Sequence, residues 1–217
     1  AQITLLPGET IEIFLVNKQK KAVITVTKNV VRFDGGEIDD DQPFSVTING
    51  ETKSAQESQS AEFNVNPGTY SASEDLEAGY EPDSNDGPVT AGSNGQATIT
   101  LVNRQLAASV RVLKVADPSN AGSFTFQLDN SEGSFTSDAI IGSGNYTFNN
   151  LIPGDYVLSE LPVDGWAPSD SPNCVDTFGT IMDPESFTIA PGDAIDCTFN
   201  NTQLGSISGM KWHDVNA

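Results

Sequence analysis

The sequence predicts an all-β chain of tandem β-sandwich modules, and three observations predict it: its composition, an internal period of 86 residues, and strands that alternate polar with apolar residues. Ser, Thr, Asn, Gly, Val and Asp dominate, and the long Ala, Glu, Leu and Lys stretches of a helical protein are absent. With 217 residues there is room for two domains of ordinary size.

The period comes from separate motifs that share one offset. PGTYSASEDLEAGY at 67–80 matches PGDYVLSELPVDGW at 153–166, so that Tyr70 and Tyr156 are 86 residues apart. ITVTK ending at Lys28 and VRVLK ending at Lys114 have the same separation, as do FLVNKQ at 14–19 and TLVNRQ at 100–105. A further copy of the closing motif, TFNNTQ, stands at 198–203. Four segments follow: 1–19 as the last strand of a preceding module or a donor strand, 20–105 and 106–203 as two sandwich modules, and 204–217 as the first strand of a following module. The sequence reads as a window on a longer array.

From Glu74 to Asn103 is 29 residues, but from Glu160 to Asn201 is 41. The added residues surround SPNCVDTFG, read as a loop insertion between strands. Its Cys174 and the last-strand Cys197 fit one disulfide, because two thiols and a single His supply no complete zinc site. An oxidising compartment follows from that pairing.

A formal net charge of −20, from 30 acidic and 10 basic residues, repels nucleic acid and anionic membrane surfaces. The plain reading is a surface kept soluble, with calcium the alternative. No run approaches the roughly 20 apolar residues of a membrane span, and no basic-then-apolar signal segment opens the chain.

Strand parity decides which polar residues face inward, since side chains two apart share a face. Ile24, Val26, Lys28 and Val30 fall together, as do Val110, Val112 and Lys114. Tyr70, Ala72 and Glu74 fall together on the middle strand, matched by Tyr156, Leu158 and Glu160. On the last strands the inward sets are Ile99, Leu101 and Asn103, then Ile195, Cys197, Phe199 and Asn201; the leading segment has Ile11, Ile13, Leu15 and Asn17. Each module therefore aims one Lys, one Glu and one Asn at its own core, where an unpaired charge costs several kcal/mol. A buried ion pair with an Asn hydrogen bond satisfies that pattern, and so do Lys and Glu heads that reach water at strand ends.

The strand ending in Lys, the PGTYSASE…AGY block and the closing strand ending in Asn resemble the B-type repeat domains of collagen adhesins and the backbone pilins. Those have the prealbumin-like, reversed-immunoglobulin fold. The resemblance spans nearly all of 20–203 and implies an isopeptide bond from the first-strand Lys to the last-strand Asn, assisted by the acidic residue. Carried over by position, the sets are Lys28, Glu74 and Asn103, and Lys114, Glu160 and Asn201. The residue types suit the chemistry, because burial lowers a Lys pKa and raises that of a nearby carboxyl group, so that a neutral amine attacks the carboxamide and ammonia leaves. This is self-maturation, and no enzyme acting on an external substrate is expected. The disulfide beside the second last strand is a feature of related modules whose Lys and Asn need not be joined. GSISGMKWHDVNA at 205–217 resembles the opening of calcium-binding B-repeats of serine-aspartate-rich adhesins, with Asp214 and Asn216 at the start of the calcium loop; calcium is expected only there, and no other cofactor.

The lone His213 builds no catalytic or zinc constellation. Asp39, Asp40 and Asp41 read as a solvated loop, with calcium a lesser option. Asn145 and Asn200 open Asn-x-Thr sequons, acceptors for a glycan in a cell that glycosylates its surface proteins.

The expected function is mechanical: a module array in an extracellular, cell-surface stalk, pilus or filament, whose partners are neighbouring modules or subunits. One alternative is an adhesive module for carbohydrate or host protein that uses Trp166 and Tyr80. Another is a filament subunit that donates residues 1–19 to its neighbour.

Overall fold

The computed structural model describes residues 3–38 and 40–210. Asp39, Trp212, His213, Asp214 and Asn216 lie outside the described residues, and with them the expected calcium loop. Every regular element described is a β-strand. The chain divides into two compact units, one of Ala1–Asn29, Asp41–Asp75 and Ser84–Leu101, the other of Val30–Asp40, Leu76–Asp83 and Val102–Ala217.

The first core is built on the strand Ala22–Val31, where Val, Ile and Thr alternate. Ala22, Ile24, Val26, Lys28 and Val30 are buried, and their neighbours turn outward. Its sheet has the order Ala61–Val65, Ala22–Val31, Gln96–Gln105, Tyr80–Asn85. A second sheet, Glu51–Ala55, Phe44–Ile48 and Ser73–Asp75, contributes Phe44, Val46 and Ile48 to the interior. The type of hairpin joining Phe44–Ile48 to Glu51–Ala55 follows from Asn49 and Gly50, both at positive φ, as a two-residue primed turn requires.

The middle strand expected over Tyr70 to Glu74 is two pieces. Gly68–Tyr70 pairs with Val89–Ala91, and Ser73–Asp75 pairs with Phe44–Ile48. The Tyr70 hydroxyl donates back to the Asn66 carbonyl at 2.9 Å, which holds the first piece in its own turn. In the second core the same motif is one continuous strand, Gly154–Glu160.

In the second core the first strand, Ala108–Asp117, lies parallel to the last, Ala194–Gln203, with Lys114 opposite Phe199 and Ala116 opposite Asn201. Facing it is the sheet Gly133–Thr136, Phe126–Asn130, Gly154–Glu160, Phe187–Ile189. Phe124, Phe126, Leu128, Leu158, Val110, Val112 and Ile195 fill the space between. Trp166 sets its ring edge-on to Phe124, centroids 5.1 Å apart, and packs on this core. It is a plug here, not part of an exposed aromatic cluster.

The inserted segment is not a plain loop. Asn173–Val175 pairs with both the last strand and Ile181–Met182, and this ribbon places Cys174 opposite Cys197, joined as a disulfide. The bond ties the insertion to the last strand and leaves the first strand untouched. Closing a loop of 23 residues between strands already paired should contribute about 3 kcal/mol. A Cys174→Ala, Cys197→Ala chain should therefore melt at a clearly lower temperature, and an unchanged midpoint would refute that contribution.

Residues 3–20 carry no strand, and Ile11, Ile13, Phe14, Leu15 and Val16 are exposed. Among the described residues no helix is long and apolar enough to cross a membrane.

Candidate functional site

Lys114 stands on the buried parity of its strand, and its side chain has nowhere to go but the interior: the residue is 2 % exposed. Asn201, 7 % exposed, comes from the adjacent last strand, two residues beyond the register partner of Lys114 and on the same face. Glu160 arrives from the opposing sheet, at the end of Gly154–Glu160. The three meet. Lys114 Nζ lies 3.1 Å from Glu160 Oε1, and Asn201 Nδ2 donates to both Glu160 oxygens at 3.0 Å. Lys114 also reaches the Phe199 carbonyl at 3.4 Å and stands 4.3 Å above the centroid of Phe124.

Removal from water is the main influence on this amine and lowers its pKa, with the Glu160 carboxylate opposing by hydrogen bond and charge. The Asn201 Oδ1 is buried and has no hydrogen-bond partner. A carboxamide oxygen left so costs about 1–3 kcal/mol.

The first core repeats the pattern. Lys28, 1 % exposed, pairs with Glu74 at 3.1 Å to Oε1 and 3.2 Å to Oε2, and stands 4.3 Å over the ring of Phe44. Its pKa is lowered by burial against the same opposing influence of its carboxylate partner. Asn103, 1 % exposed, is on Gln96–Gln105, the strand next to that of Lys28 in the sheet order.

Parity identifies the Lys, Glu and Asn, but it does not identify the rings. Phe44 and Phe124 each open the second long hydrophobic run of their repeat, FSVTI and FTFQL, and that shared position is the signal that finds them. A ring face over a desolvated ammonium contributes up to about 2 kcal/mol and holds the amine in place. Within the acidic loop Asp40 departs from its expected solvated state, whereas Asp41 is exposed as expected. Asp40 accepts from the Tyr80 hydroxyl and from Gln105 Nε2, each at 2.8 Å, and Asp41 accepts from the Ser58 backbone at 3.3 Å. Burial, reinforced by Asp40, raises the Tyr80 pKa, so the phenol keeps its proton and serves as donor. Tyr80 is thus a tie within the fold.

Of the two sequon residues, Asn145 is exposed on a strand, whereas Asn200 is half-buried within the last strand. Among the described residues no group of three His, Cys, Asp or Glu side chains is arranged to hold a metal ion.

Among solved structures, the Bacillus anthracis TIE protein superposes well enough to show a shared fold, with a TM-score of 0.53 at 17 % identity over 85 % of the chain, which spans about a third (34 %) of that protein's length. A C-terminal fragment of the pilus adhesin SpaC from Lactobacillus rhamnosus GG gives 0.44 at 17 % identity, covering 88 % of this chain and 100 % of that one. The major pilin of Streptococcus pyogenes gives 0.37 at 16 % identity, covering 88 % and 100 %. No curated protein gives a significant match. The family model described as a prealbumin-like fold domain matches residues 19–112, so that stretch is similar to the prealbumin-like fold domains.

Proposed function

We propose that this chain is a load-bearing segment of an extracellular surface stalk, pilus or filament, built of modules at about 20–105 and 106–203 and hardened by intramolecular Lys–Asn isopeptide bonds. The observation that carries this reading is the buried Lys114–Glu160–Asn201 cluster, with its Lys on the first strand and its Asn on the adjacent last strand.

The reaction balances without any co-reactant. Glu160 takes a proton from the Lys114 ammonium, and the neutral Nζ attacks Asn201 Cγ. A half-turn of the amide brings Oδ1 onto the new carboxylic O–H, which polarises the carbonyl. The Nζ–Cγ bond forms, Glu160 gives its proton to Nδ2 and takes the remaining surplus proton from Nζ, and the Cγ–Nδ2 bond breaks; ammonia departs and Glu160 is left as the neutral acid, matching the ammonium charge that is lost. Each site reacts once, on itself, so this is maturation and not turnover.

The mechanical consequence follows from topology. Tension that enters at the first strand and leaves at the last loads two parallel neighbours in shear, and a covalent tie between them bypasses the hydrogen bonds of the whole module. The disulfide joins the insertion to the last strand, so it does not replace that tie. The acidic surface suits a crowded exterior by keeping neighbouring copies apart.

Intact-mass measurement tests the proposal. The chain should weigh less than its sequence by one ammonia for each bond, after correction for the disulfide. Lys28→Met should remove the loss from the first module and Lys114→Met that from the second. A full calculated mass in the unmodified chain would reduce both clusters to buried ion pairs.

A second reading, strand donation, is favoured by the exposed alternation Ile11, Ile13, Leu15, which has the inward pattern of a last strand. It makes the same segment complete a neighbouring subunit.

A further inference from the structure

Lys20, Leu106 and Leu204 each follow one of the three closing motifs, and their backbone bonds form a series. Leu106 donates to the Gly79 carbonyl at 2.8 Å and accepts from the Gly192 amide at 3.0 Å. Leu204 makes the first of these bonds, donating to the Gly165 carbonyl at 2.7 Å. Lys20 makes a version of the second, with the Ser93 hydroxyl bonded to its N–H at 3.1 Å and to its carbonyl at 3.4 Å. Two further pairs confirm the correspondence. Val23 donates to Gly95 at 3.0 Å as Ser109 does to Asp193 at 2.8 Å, and Asn94 and Gly192, in the turns before the last strands, both have positive φ.

Leu106 thus has a bond to the end of one motif and a bond from the turn of the next, all within the second compact unit. The approach there is close. A Cβ on Gly79 would collide with the Pro191 carbonyl, and one on Gly192 would stand 3.3 Å from Leu106 Cβ. Gly165 has the same backbone conformation as Gly79, φ +78° against +84°, and likewise precedes an aromatic residue, Trp166 as against Tyr80. Yet no described atom lies within 4 Å of its Cβ position, and Leu204 is 58 % exposed where Leu106 is 38 %. Positive φ explains glycine at both places, but it does not explain an exposed leucine pinned beside each.

We infer that Gly165 and Leu204 form a preformed docking end for a further module of this fold, which presents the turn before its own last strand. The occupant is recognised by its backbone: an Asn or Gly at positive φ whose N–H reaches the Leu204 carbonyl, with a small or Pro-Gly turn lying flat on Gly165 and the leucine side chain. The inference deepens the stalk reading and rests on it. It adds that successive modules seat on one another through a repeated backbone clasp and do not hang on a slack linker.

Amide hydrogen exchange tests it on a chain in which residues 107–203 are joined behind Leu204, so that a second Pro191–Gly192 turn can meet the Gly165 end. The Gly192 amide of the added copy should exchange at least about tenfold more slowly than an exposed turn amide, as the resident Gly192 should. If the added copy does not fold, residues 21–203 carrying Ser93→Pro and Asn94→Gly are joined instead, which gives the added turn the Pro-Gly sequence of 191–192, and the amide at position 94 is the one expected to be slow. Fast exchange of the added turn beside a slow resident Gly192 overturns the docking end and leaves the stalk reading, judged by ammonia loss, standing. Fast exchange at both turns removes the clasp altogether, and with it a rigid array.

Discussion

Lys114→Met is expected to destabilise the second module by about 4–5 kcal/mol if the proposed bond has formed, because it then removes a closure that spans 114 to 201. For a domain of roughly 100 residues that corresponds to a fall of about 20–30 °C in thermal midpoint. The fully apolar replacement of the cluster is the measurement whose sign decides between a bond and an ion pair. Met is close to Lys in length and shape, and an apolar chain in place of one member of a buried ion pair removes a desolvated ammonium, although it leaves Glu160 with Asn201 alone. When a pair and its partners are replaced by apolar residues the change is often neutral or stabilising by about 1–4 kcal/mol. The Lys114→Met, Glu160→Leu, Asn201→Leu chain should therefore be as stable as the wild type, or more so, if the cluster is only an ion pair with its Asn hydrogen bonds. It should be far less stable if a bond has been lost. Denaturant unfolding of both variants, followed by Trp166 fluorescence, separates the cases.

Glu160→Ala should have the second large effect, and for two additive reasons. It removes the proton relay, so the second ammonia loss should disappear from the mass although Lys114 and Asn201 remain on adjacent strands. It also strands the Lys114 ammonium, 2 % exposed in the wild-type chain, whose other contacts there are the Phe199 carbonyl and the Phe124 ring, and breaking a buried pair from one side costs about 3–5 kcal/mol. Adding Lys114→Met to Glu160→Ala should recover part of that stability, since the stranded charge goes with it. If the double variant is no better than Glu160→Ala, the loss comes from the missing closure alone and not from an unpaired cation. A wild-type mass in Glu160→Ala would remove Glu160 from the chemistry.

How far the sequence reaches is best seen at particular residues. Alternation along a strand is a local property of the backbone, so the inward faces of Lys28, Lys114, Asn103 and Asn201 were legible from their neighbours two residues away, and all four are buried. The repeat adds weight to parity, because an inward Lys at one position is an exception and at two equivalent positions a pattern. The sandwich architecture was legible for the same reason: composition and period belong to the chain itself.

What the fold alone decided involves residues far apart along the chain. Asp40 reads as one of three solvated acids, yet Tyr80 and Gln105, which are 40 and 65 residues away, draw it into a hydrogen-bonded tie. Phe44 and Phe124 read as ordinary core residues until the opposite strand sets an ammonium over each ring. The PGTY and PGDY motifs read alike, but one strand breaks after Tyr70 and the other runs on to Glu160, according to which sheet edge each segment finds. A strand's own residues determine which way its side chains point, whereas its partners, its register and the groups that meet across the core depend on closing loops tens of residues long. That is a property of the whole chain's packing, and no local pattern encodes it.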